Sequence, residues 1–438
     1  LTLDKKSRKV VSDPLSENNP ITVQVLYNRG LTDPADVAAF LSGEDGEVNP
    51  FDLKGMPAAV TRLRQALRAG EPIAVYGDFD ADGVTATALL VQVLRALGGY
   101  VRPYIPDRAE GYGLHKEALT QLAHAGVRVV VTVDCGVRAP GQVAHANQLG
   151  LDVIVTDHHS VGHQLPEAVA VIDPKMADSR YPFDELAGVG IAYRLAQALL
   201  RSHRRTPVTT QAVRLEEEDL VDLVALGTVP DLVPLLGENR SLVRRGLAVL
   251  NEPRRPGVEA LMADAGLRRG EVDATAIGFR LGPRLNAAGR VDTAMLAYQL
   301  LSSRDPLETK ERAAELGALN SRRQELTEQT VAAAEAQVQA DDPGAYLYLA
   351  ASPDFPSGVV GLAASRLTET YYRPSIVVEK GQEQSRGSCR SIPEFNITEA
   401  LDQCKDLLLR HGGHAAAAGF TVPTPKLDEL RRRLQEIA

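Results

Sequence analysis

The stretch Val127-Arg128-Val129-Val130-Val131-Thr132-Val133, followed directly by Asp134-Cys135-Gly136, sets the fold class of this chain. Its residues are almost all valine or threonine, whose branched side chains favour extended backbone, so it predicts a buried strand. The apolar residues run on without alternation, which is typical of a parallel sheet covered on both faces. Asp134 then follows the carboxyl end of that strand, where open parallel sheets bind their ligands.

Similar apolar segments lie on both sides of this strand along the sequence, and helical segments separate them. The predicted strands cover residues 73–77, 101–105, 151–156 and 169–172, and the predicted helices cover residues 84–97, 115–125 and 140–149. This alternation predicts an α/β domain built on a parallel sheet.

We expect four parts along the chain. They are a helical N-terminal lead-in at residues 1–71, a catalytic domain at 72–306, a connecting helix at 307–341 and a smaller α/β domain at 342–438. The connecting segment is rich in Glu, Ala, Arg and Gln, and the sequence Asp341-Asp342-Pro343-Gly344 ends it. Apolar runs at residues 346–350 and 375–379 predict strands of the smaller domain.

Composition narrows the class of protein. With 44% hydrophobic and 24% charged residues the chain is ordinary for a globular protein. No apolar stretch reaches the roughly 18 residues of a membrane span, and the first residues lack the apolar core of a signal peptide. Three cysteines without metal-site spacing favour a reducing cytoplasm. We also expect a monomer, because no heptad or repeated interface pattern appears.

The net charge of −9 lowers the expectation of tight non-specific binding to DNA. The arginines are unevenly spread, however: residues 278–290 contain three arginines and no acid. A local phosphate-binding track therefore remains compatible with the acidic average.

Acidic and histidine residues follow the predicted strands. They form the groups Asp78-Phe79-Asp80-Ala81-Asp82-Gly83, Asp134-Cys135-Gly136 and Asp157-His158-His159, with Asp231 further along the chain. Carboxylates and imidazoles at one edge of a sheet suit two hard divalent cations, Mn²⁺ or Mg²⁺. Because a paired-metal site is suited to in-line attack on phosphorus, phosphoester hydrolysis is the first hypothesis.

Each of these positions has a structural alternative. Asp82 could cap a helix, Asp134 could occupy a turn, and Asp222 competes with Asp231 as a ligand. His158 and His159 are adjacent, so their side chains diverge on a regular element. One could bind a metal while the other contacts the substrate phosphate, and the sequence leaves open which does so.

With these motifs the chain resembles the DHH phosphoesterase superfamily and, within it, the RecJ family of single-strand-specific 5′→3′ exonucleases. The resemblance covers residues 22–422 and rests on the motifs at 76–85, 110–114, 157–159, 225–229, 282–290 and 412–419. It implies a parallel-sheet DHH domain that a long helix joins to a smaller α/β domain of the DHHA1 type. It also implies catalytic roles for Asp80, Asp82, Asp134, His158, His159 and Asp231, and a metal site of Asp78, Asp80, Asp82, Asp134, His158 and Asp231.

The resemblance and the residues together suggest where a nucleic acid would bind. The candidates are Arg108, Tyr112, Arg280, Arg284, Asn286, Arg290, Arg373, Ser388, Arg390, Gly412, Gly413 and His414. Arginine suits bidentate phosphate contact, and glycine lets the backbone approach a phosphate closely. Structural salt bridges are the alternative for each arginine, and a turn followed by an Ala-rich helix is the alternative for the two glycines.

The function expected from this resemblance is metal-dependent 5′→3′ hydrolysis of single-stranded DNA to mononucleotides, in DNA repair and recombination. A single-strand-binding protein and a helicase are the expected partners. The alternatives are a phosphodiesterase for short oligonucleotides or cyclic dinucleotides and a non-catalytic replication scaffold. Members of the family usually carry an oligonucleotide-binding barrel after the second domain. No succession of short strands fits one here, so weaker binding to long strands is expected.

Overall fold

The computed structural model describes residues 19–43, 48–108 and 110–438. Part of the predicted lead-in, residues 1–18 and 44–47, lies outside the described residues. The chain divides into two compact units. The described residues of the first unit are 19–43, 48–106, 110–283 and 297–313, and those of the second are 107–108, 284–296 and 314–438.

The first unit contains a parallel sheet and the helices that cover it. Its strands are β1 (Ile73–Tyr76), β2 (Val101–Tyr104), β3 (Val129–Val133), β4 (Asp152–Thr156) and β5 (Ala170–Ile172). Its helices up to the last strand are α1 (Pro20–Asn28), α2 (Pro34–Ser42), α3 (Met56–Ala69), α4 (Ala81–Ala96), α5 (Lys116–His124) and α6 (Pro140–Gln148).

A run of helices follows the sheet. They are α7 (Gly188–Arg205), α8 (Val221–Thr228), α9 (Gly237–Leu250), α10 (Pro256–Asp264), α11 (Ala274–Ala276), α12 (Gly282–Val291) and α13 (Met295–Ser302). A π-helical turn, Ile277–Leu281, joins α11 to α12. The long helix α14 (Pro306–Asp341) begins in the first unit and ends in the second.

The first sheet has the strand order β2-β1-β3-β4-β5, and every neighbouring pair among these described strands is parallel. All residues of β1 and β3 are buried, as expected for a sheet covered on both faces. The predicted parallel α/β sheet is thus confirmed. Because the register aligns Tyr76 with Thr132 and Val133 with Thr156, the segments after β1, β3 and β4 meet at one edge.

One detail differs from the sequence prediction. The helix expected at residues 84–97 begins at Ala81, so Asp82 lies in the first turn of α4 rather than on an extended strand end. Asp80, not Asp82, is the N-cap: its Oδ1 accepts from the backbone amides of Asp82, at 3.0 Å, and Gly83, at 3.1 Å. The alternation of acids therefore reflects a helix start and not a strand face.

The second unit contains a mixed sheet. Its strands are β6 (Tyr348–Ser352), β7 (Ser375–Glu379), β8 (Gln384–Arg390), β9 (Arg410–His414) and β10 (Ala417–Pro423), and its helices after α14 are α15 (Val360–Tyr371), α16 (Ile397–Asp402) and α17 (Leu427–Ile437). The strand order is β6-β7-β8-β10-β9, with β6 and β7 parallel and the other pairs antiparallel.

The segment around Gly412 differs from the alternative that the sequence left open. It forms β9, which pairs with β10 in an antiparallel hairpin, so no Ala-rich helix follows the two glycines. Ala418, Phe420 and Val422 alternate into the core of the unit, as the period of two in a strand requires.

The compact units divide the chain differently from the predicted domains. Residues 284–296, which include most of α12, group with the second unit, although we placed them in the catalytic domain. Two hydrogen bonds join these residues to other segments of that unit. Arg108 Nε donates to the carbonyl of Gly289 at 2.7 Å, and Arg290 Nη1 donates to the carbonyl of Gly358 at 3.2 Å. Among the described residues, no helix is both long and apolar enough to cross a membrane.

Candidate metal centre

Asp134 follows β3 at the carboxyl edge of the first sheet. Its φ of 61° lies in the left-handed region that non-glycine residues seldom adopt, and its side chain is buried. Such strained backbone is found most often at functional sites, where the surrounding structure holds it in place. Asp134 Oδ1 is 3.1 Å from Nε2 of His158, which follows the neighbouring strand β4.

Asp82 lies at the start of α4, but the helix α7 holds its carboxylate. Its Oδ2 accepts from the amide of Gly188 at 2.7 Å, and its Oδ1 accepts from the amide of Val189 at 2.8 Å. These amides begin α7, so the positive end of that helix faces the carboxylate. Asp82 is thereby fixed with both oxygens directed by backbone donors.

His158 lies among three carboxylates. Besides Asp134, its Nε2 is 3.7 Å from Asp231 Oδ2 and 3.8 Å from Asp82 Oδ2. Asp231 follows α8, and its amide bonds to the carbonyl of Gly227 at 3.3 Å. Residues far apart in the sequence thus meet at one buried point.

The competitor for Asp231 has another role. The side chain of Asp222 pairs with Arg255 Nε at 2.9 Å, and both residues lie in the helical part of the first unit. Asp231 Oδ2 has no hydrogen-bond partner among the described residues although it is buried. The geometry therefore favours Asp231 over Asp222 as the candidate ligand.

Asp157 organises the two histidines. Its Oδ1 accepts from the amides of His158, at 2.8 Å, and His159, at 3.2 Å, and also lies 2.7 Å from His159 Nδ1. Its Oδ2 accepts from the amide of Val137 at 2.8 Å. With both oxygens occupied, Asp157 positions the histidines instead of offering itself to a cation. Sequence reasoning quoted this residue in the motif but gave it no role.

The electrostatics of the acids fit a cation site. Burial, followed by repulsion from Asp80, raises the pKa of Asp82 to about 7. Burial, followed by repulsion from Asp82 and Asp80, raises the pKa of Asp231 to about 9. Burial and the same two neighbours also raise the pKa of Asp134 well above its usual value. Carboxylates crowded in this way retain protons at neutral pH unless cations replace them.

The two histidines have opposite electrostatics. Burial lowers the pKa of His158 to about 3, so its imidazole is neutral, the form that ligates metals. Burial disfavours the protonated form of His159. The hydrogen bond to Asp157 and the negative charge of Asp157 favour that form more strongly, so the pKa of His159 is raised. His159 is half-buried, with 35% of its side chain exposed. His158 is therefore a neutral metal-ligand candidate, and His159 holds a proton more readily than an ordinary histidine.

Ligand atoms within 4.8 Å of one another form three groups among the described residues. They are Asp78–Asp80–Asp134, Asp82–His158–Asp231 and Asp134–His158–His159. The first two groups share no residue, and Asp134 and His158 link them. The donor set is oxygen-rich with one or two imidazoles, which fits two Mn²⁺ or Mg²⁺ ions better than a softer metal.

Glycines allow the acids to approach this closely, a feature that sequence reasoning missed. A Cβ on Gly188 would lie 2.7 Å from Cβ of Asp134, and one on Gly83 would lie 2.5 Å from the carbonyl oxygen of Asp78. A Cβ on Gly227 would lie 3.0 Å from Asp82 Oδ1. In the sequence these positions show only as glycines, and their close contacts become visible in the structure alone.

The predicted substrate residues of the first unit are placed as follows. Tyr112 lies beside the metal centre: its hydroxyl donates to the carbonyl of Asp134 at 3.1 Å and lies 3.0 Å from His159 Nδ1. Arg280, on the π-helical turn, donates to the carbonyl of Ala265. Tyr112 is therefore joined directly to the candidate site.

The other predicted substrate residues lie in the second unit. Arg108 and Arg290 make the backbone contacts given above, and Arg284 and Asn286 are half-buried on α12. Arg373 donates to the carbonyls of Pro343 and Ala345. Ser388, Arg390, Gly412 and His414 lie on one face of the second sheet, whereas Gly413 pairs with the core residue Ala418 and belongs to the opposite face.

That shared surface consists of adjacent strands. Arg390 pairs with Ala417 across β8 and β10, and Ala417 pairs with His414 across β10 and β9. Two residues further along the same ladder, Ser388 lies beside Gly419, which lies opposite Gly412. Gly412, His414 and Gly419 are exposed. The predicted segments of the second unit therefore form one polar, partly glycine-lined face.

Comparison with known proteins identifies the relatives of this chain. The model of the DHH family, N-terminal domain, matches residues 72–228, and that of the DHHA1 domain matches residues 341–438. The single-stranded-DNA-specific exonuclease RecJ of Bacillus subtilis is 40% identical over 96% of this chain, which spans 52% of that protein. The exonuclease of the same name from Dickeya dadantii is 40% identical over 99% of this chain and 77% of its own length.

A solved structure agrees with these matches. The Mn²⁺ complex of RecJ from Thermus thermophilus has a TM-score of 0.83 and 33% identity, and covers 98% of this chain and 60% of that protein. The chain thus spans between half and about four fifths of the curated relatives it matches. These matches confirm the resemblance and the two-domain DHH and DHHA1 fold inferred from the motifs, and the chain belongs to the RecJ family.

Proposed function

We propose that this chain hydrolyses single-stranded DNA from its 5′ end and releases mononucleotides, with two divalent cations, Mn²⁺ or Mg²⁺, as cofactors. The observation that carries the proposal is the pair of adjacent ligand groups, Asp78–Asp80–Asp134 and Asp82–His158–Asp231. Two bound cations would supply the Lewis acidity that activates water and neutralises charge on the phosphodiester. The Mn²⁺ and Mg²⁺ complexes of the Thermus relative support the choice of metals.

The residues of the centre take distinct parts in this proposal. Asp134 belongs to the first group, contacts His158 of the second, and serves both cation positions. His158 is a metal ligand because burial keeps it neutral, whereas His159 contacts a substrate phosphate through its more exposed ring. Tyr112 fixes that ring, since its hydroxyl contacts both His159 and the backbone of Asp134.

Binding of the strand is assigned to the polar face of the second unit. Gly412 is exposed, and a Cβ there would meet no atom within 4 Å, so nothing inside the described protein requires a glycine at this position. A backbone without a side chain can approach a phosphate, and His414 and Arg390 on the same face can donate to it. A single-strand-binding protein and a helicase as partners stay predictions from the family.

The test is product analysis on one labelled oligonucleotide with Mn²⁺. The oligonucleotide is offered as 5′-phosphorylated single strand, 3′-phosphorylated single strand, blunt duplex and a short RNA. Stepwise release of mononucleotides from the 5′ end of single-stranded DNA alone is expected. A preference for oligomers of two to five residues of either sugar would replace the proposal with a short-substrate phosphodiesterase, and no hydrolysis would favour a scaffold.

A matched pair of variants ties the activity to the centre. Asp134→Asn removes a carboxylate that belongs to the first ligand group and contacts His158 of the second, so it is expected to lower the rate more than about 100-fold. The control is Asp152→Asn. Asp152 begins β4, whereas His158 follows the end of that strand, and its carboxylate pairs with Arg62. This variant should keep near-normal activity. Equal rates for Asp134→Asn and the unaltered chain would contradict the two-metal assignment.

A further inference from the structure

A cavity of about 780 Å³ lies in the first unit and is separate from the metal centre. The last turns of α4 line one side of it, the segment at residues 212–215 lines another, and the start of α10 and the end of α13 complete the wall. None of the candidate metal ligands lines it. Its volume lies within the range of small-molecule sites, roughly 300–1,000 Å³.

The cavity wall carries an excess of positive charge. Of the two aspartates on the wall, Asp222 pairs with Arg255 at 2.9 Å and Asp219 pairs with Arg254 at 3.4 Å. Three further arginines line the cavity and have no carboxylate partner within the described part of the chain: Arg95, Arg214 and Arg304. The guanidinium of Arg95 donates to a neutral carbonyl, that of Val101, which leaves its charge uncompensated. An anion is the complement of such a wall.

Apolar side chains form another part of the wall. Val91, Val213 and Leu215 line the cavity and provide a surface for an uncharged ring. Tyr298 on α13 also lines the cavity and is only 5% exposed. Its hydroxyl is itself buried and has no hydrogen-bond partner among the described residues, so a ligand in the cavity contacts the ring of Tyr298 and not its hydroxyl.

The position of α10 is also fixed tightly against this wall. A Cβ on Gly257, in the first turn of α10, would lie 2.0 Å from the carbonyl oxygen of Leu300 on α13. The glycine thus lets the start of α10, whose first residue Pro256 lines the cavity, lie directly beside the helix that carries Tyr298. The positive end of α10 therefore adds to the charge of the arginines.

We propose that this cavity is a second binding site, which takes a nucleoside phosphate. Its anionic groups contact Arg214 and Arg304, and its ring packs on the apolar wall beside Tyr298. This inference does not rest on the proposed nuclease activity, because no residue of the metal centre takes part in it.

Equilibrium binding of dAMP tests the site. Titration calorimetry in EDTA, which removes divalent cations from the metal centre, is expected to show one dAMP bound per chain. Deoxyadenosine and inorganic phosphate should each bind at least about tenfold more weakly, because each lacks one half of the ligand. Absence of dAMP binding at millimolar concentration, or equal affinity for inorganic phosphate, would overturn the proposal.

Variants locate the binding. The double variant Arg214→Ala/Arg304→Ala should lower the affinity for dAMP by about tenfold or more, since bonds to charged groups are lost. The control is Arg68→Ala, an exposed arginine on α3 away from the cavity lining. Binding that the double variant leaves unchanged would contradict the assignment.

Discussion

A single buried carboxylate sets the different states of the two adjacent histidines. Asp157 accepts the backbone amides of both residues but contacts only the ring of His159. His159 therefore holds its proton more firmly, while His158, surrounded by protein and without such a contact to Asp157, is neutral. One residue thus separates a metal ligand from a phosphate donor in the proposed mechanism.

Asp157→Asn tests this division of roles. The asparagine keeps the size of the side chain but removes the charge that raises the pKa of His159 and one acceptor of the histidine amides. We expect a fall of about 10–100-fold in Mn²⁺ affinity, the usual effect of losing a residue that orients metal ligands. Calorimetric Mn²⁺ titration measures it, and NMR titration of His159 should show a lower pKa.

The control for this variant is Asp178→Asn, which removes an exposed acid paired with Lys54 outside the centre. It should leave both the Mn²⁺ affinity and the His159 titration unchanged. If Asp157→Asn kept the affinity and the His159 pKa of the original chain, the organising role would be wrong.

The raised pKa values of the acids predict how stability depends on pH without metal. Asp231 has a pKa of about 9 in the folded state, whereas an aspartate ordinarily has a pKa of 3.8. Between these two pH values the folded state holds a proton that the unfolded state has lost. Stability falls with rising pH wherever the folded state holds more protons, so this contribution declines up to about pH 9. His159, with its raised pKa, acts in the same direction.

His158 acts in the opposite direction, but only at lower pH. Its pKa of about 3 in the folded state lies below the ordinary histidine value of 6.5, so its contribution to stability rises with pH up to about 6.5 and is then constant. The clear window is therefore pH 7 to 9. In EDTA the melting temperature should fall across this window, and saturating Mn²⁺ should remove the fall. Asp231→Asn should flatten it in EDTA; a rising curve for the original chain would refute the assignment.

At the scale of elements, the centre depends on contacts between segments that are distant in sequence. The positions after β3 and β4 were predictable, because Val-rich runs mark parallel strands and their carboxyl ends meet at one edge. The place of Asp82 was not, because the amides that hold it belong to α7, more than 100 residues further on. The role of Asp157 could not be predicted either, because the path of the chain after β4 determines which backbone amides and rings its carboxylate contacts.

The approach of α7 to β3 gives a prediction of its own. Gly188→Ala would place a Cβ 2.7 Å from Cβ of Asp134 and 2.9 Å from its Oδ1, so the start of α7 must shift. We expect a loss of about 1–3 kcal/mol in the free energy of unfolding, typical of overpacking, together with weaker Mn²⁺ binding. Chemical denaturation and calorimetry measure the two effects.

Gly190→Ala is the matched control, because it lies two residues further along α7. Its Cβ would be 3.1 Å from Cδ2 of Leu186, the flexible end of a side chain that can move aside. It should therefore leave Mn²⁺ affinity unchanged. Indistinguishable Mn²⁺ affinities for Gly188→Ala and Gly190→Ala would contradict the link between α7 and the centre.

Two neighbouring glycines of β9, Gly412 and Gly413, are expected to have different roles. A Cβ on Gly413 would lie 2.3 Å from the carbonyl oxygen of Ala417, and its φ of 152° disfavours other residues, so Gly413→Ala should lower the melting temperature. Gly412→Ala meets no atom within 4 Å and should keep the melting temperature but weaken binding of single-stranded DNA. Fluorescence anisotropy with a labelled strand and thermal melting test the pair; unchanged DNA binding in Gly412→Ala would remove that residue from the proposed track.

At the scale of the whole molecule, each unit has a hydrophobic core around its own sheet. The first packs Val130, Val153 and Leu119 between its sheet and helices α5 and α6. The second packs Ile376, Phe420 and Leu430 between its own sheet and helices α16 and α17. Separate cores favour separate cooperative opening, so a ligand of one unit should stabilise that unit. The candidate metal ligands all belong to the first unit.

Hydrogen exchange with and without Mn²⁺ tests this division. At 100 times the dissociation constant, a cation that binds only the folded unit stabilises it by about 2.7 kcal/mol, which slows exchange through unit-wide opening about 100-fold. Peptides from β1, β3, β4 and the start of α7 should show this protection, whereas those from β7, β8 and β10 should exchange at the same rate with and without metal. The Asp134→Asn variant is the control and should show much less protection anywhere. Equal protection of both sheets by Mn²⁺ would mean that the two units open as one, and the separation into independent cores would be wrong.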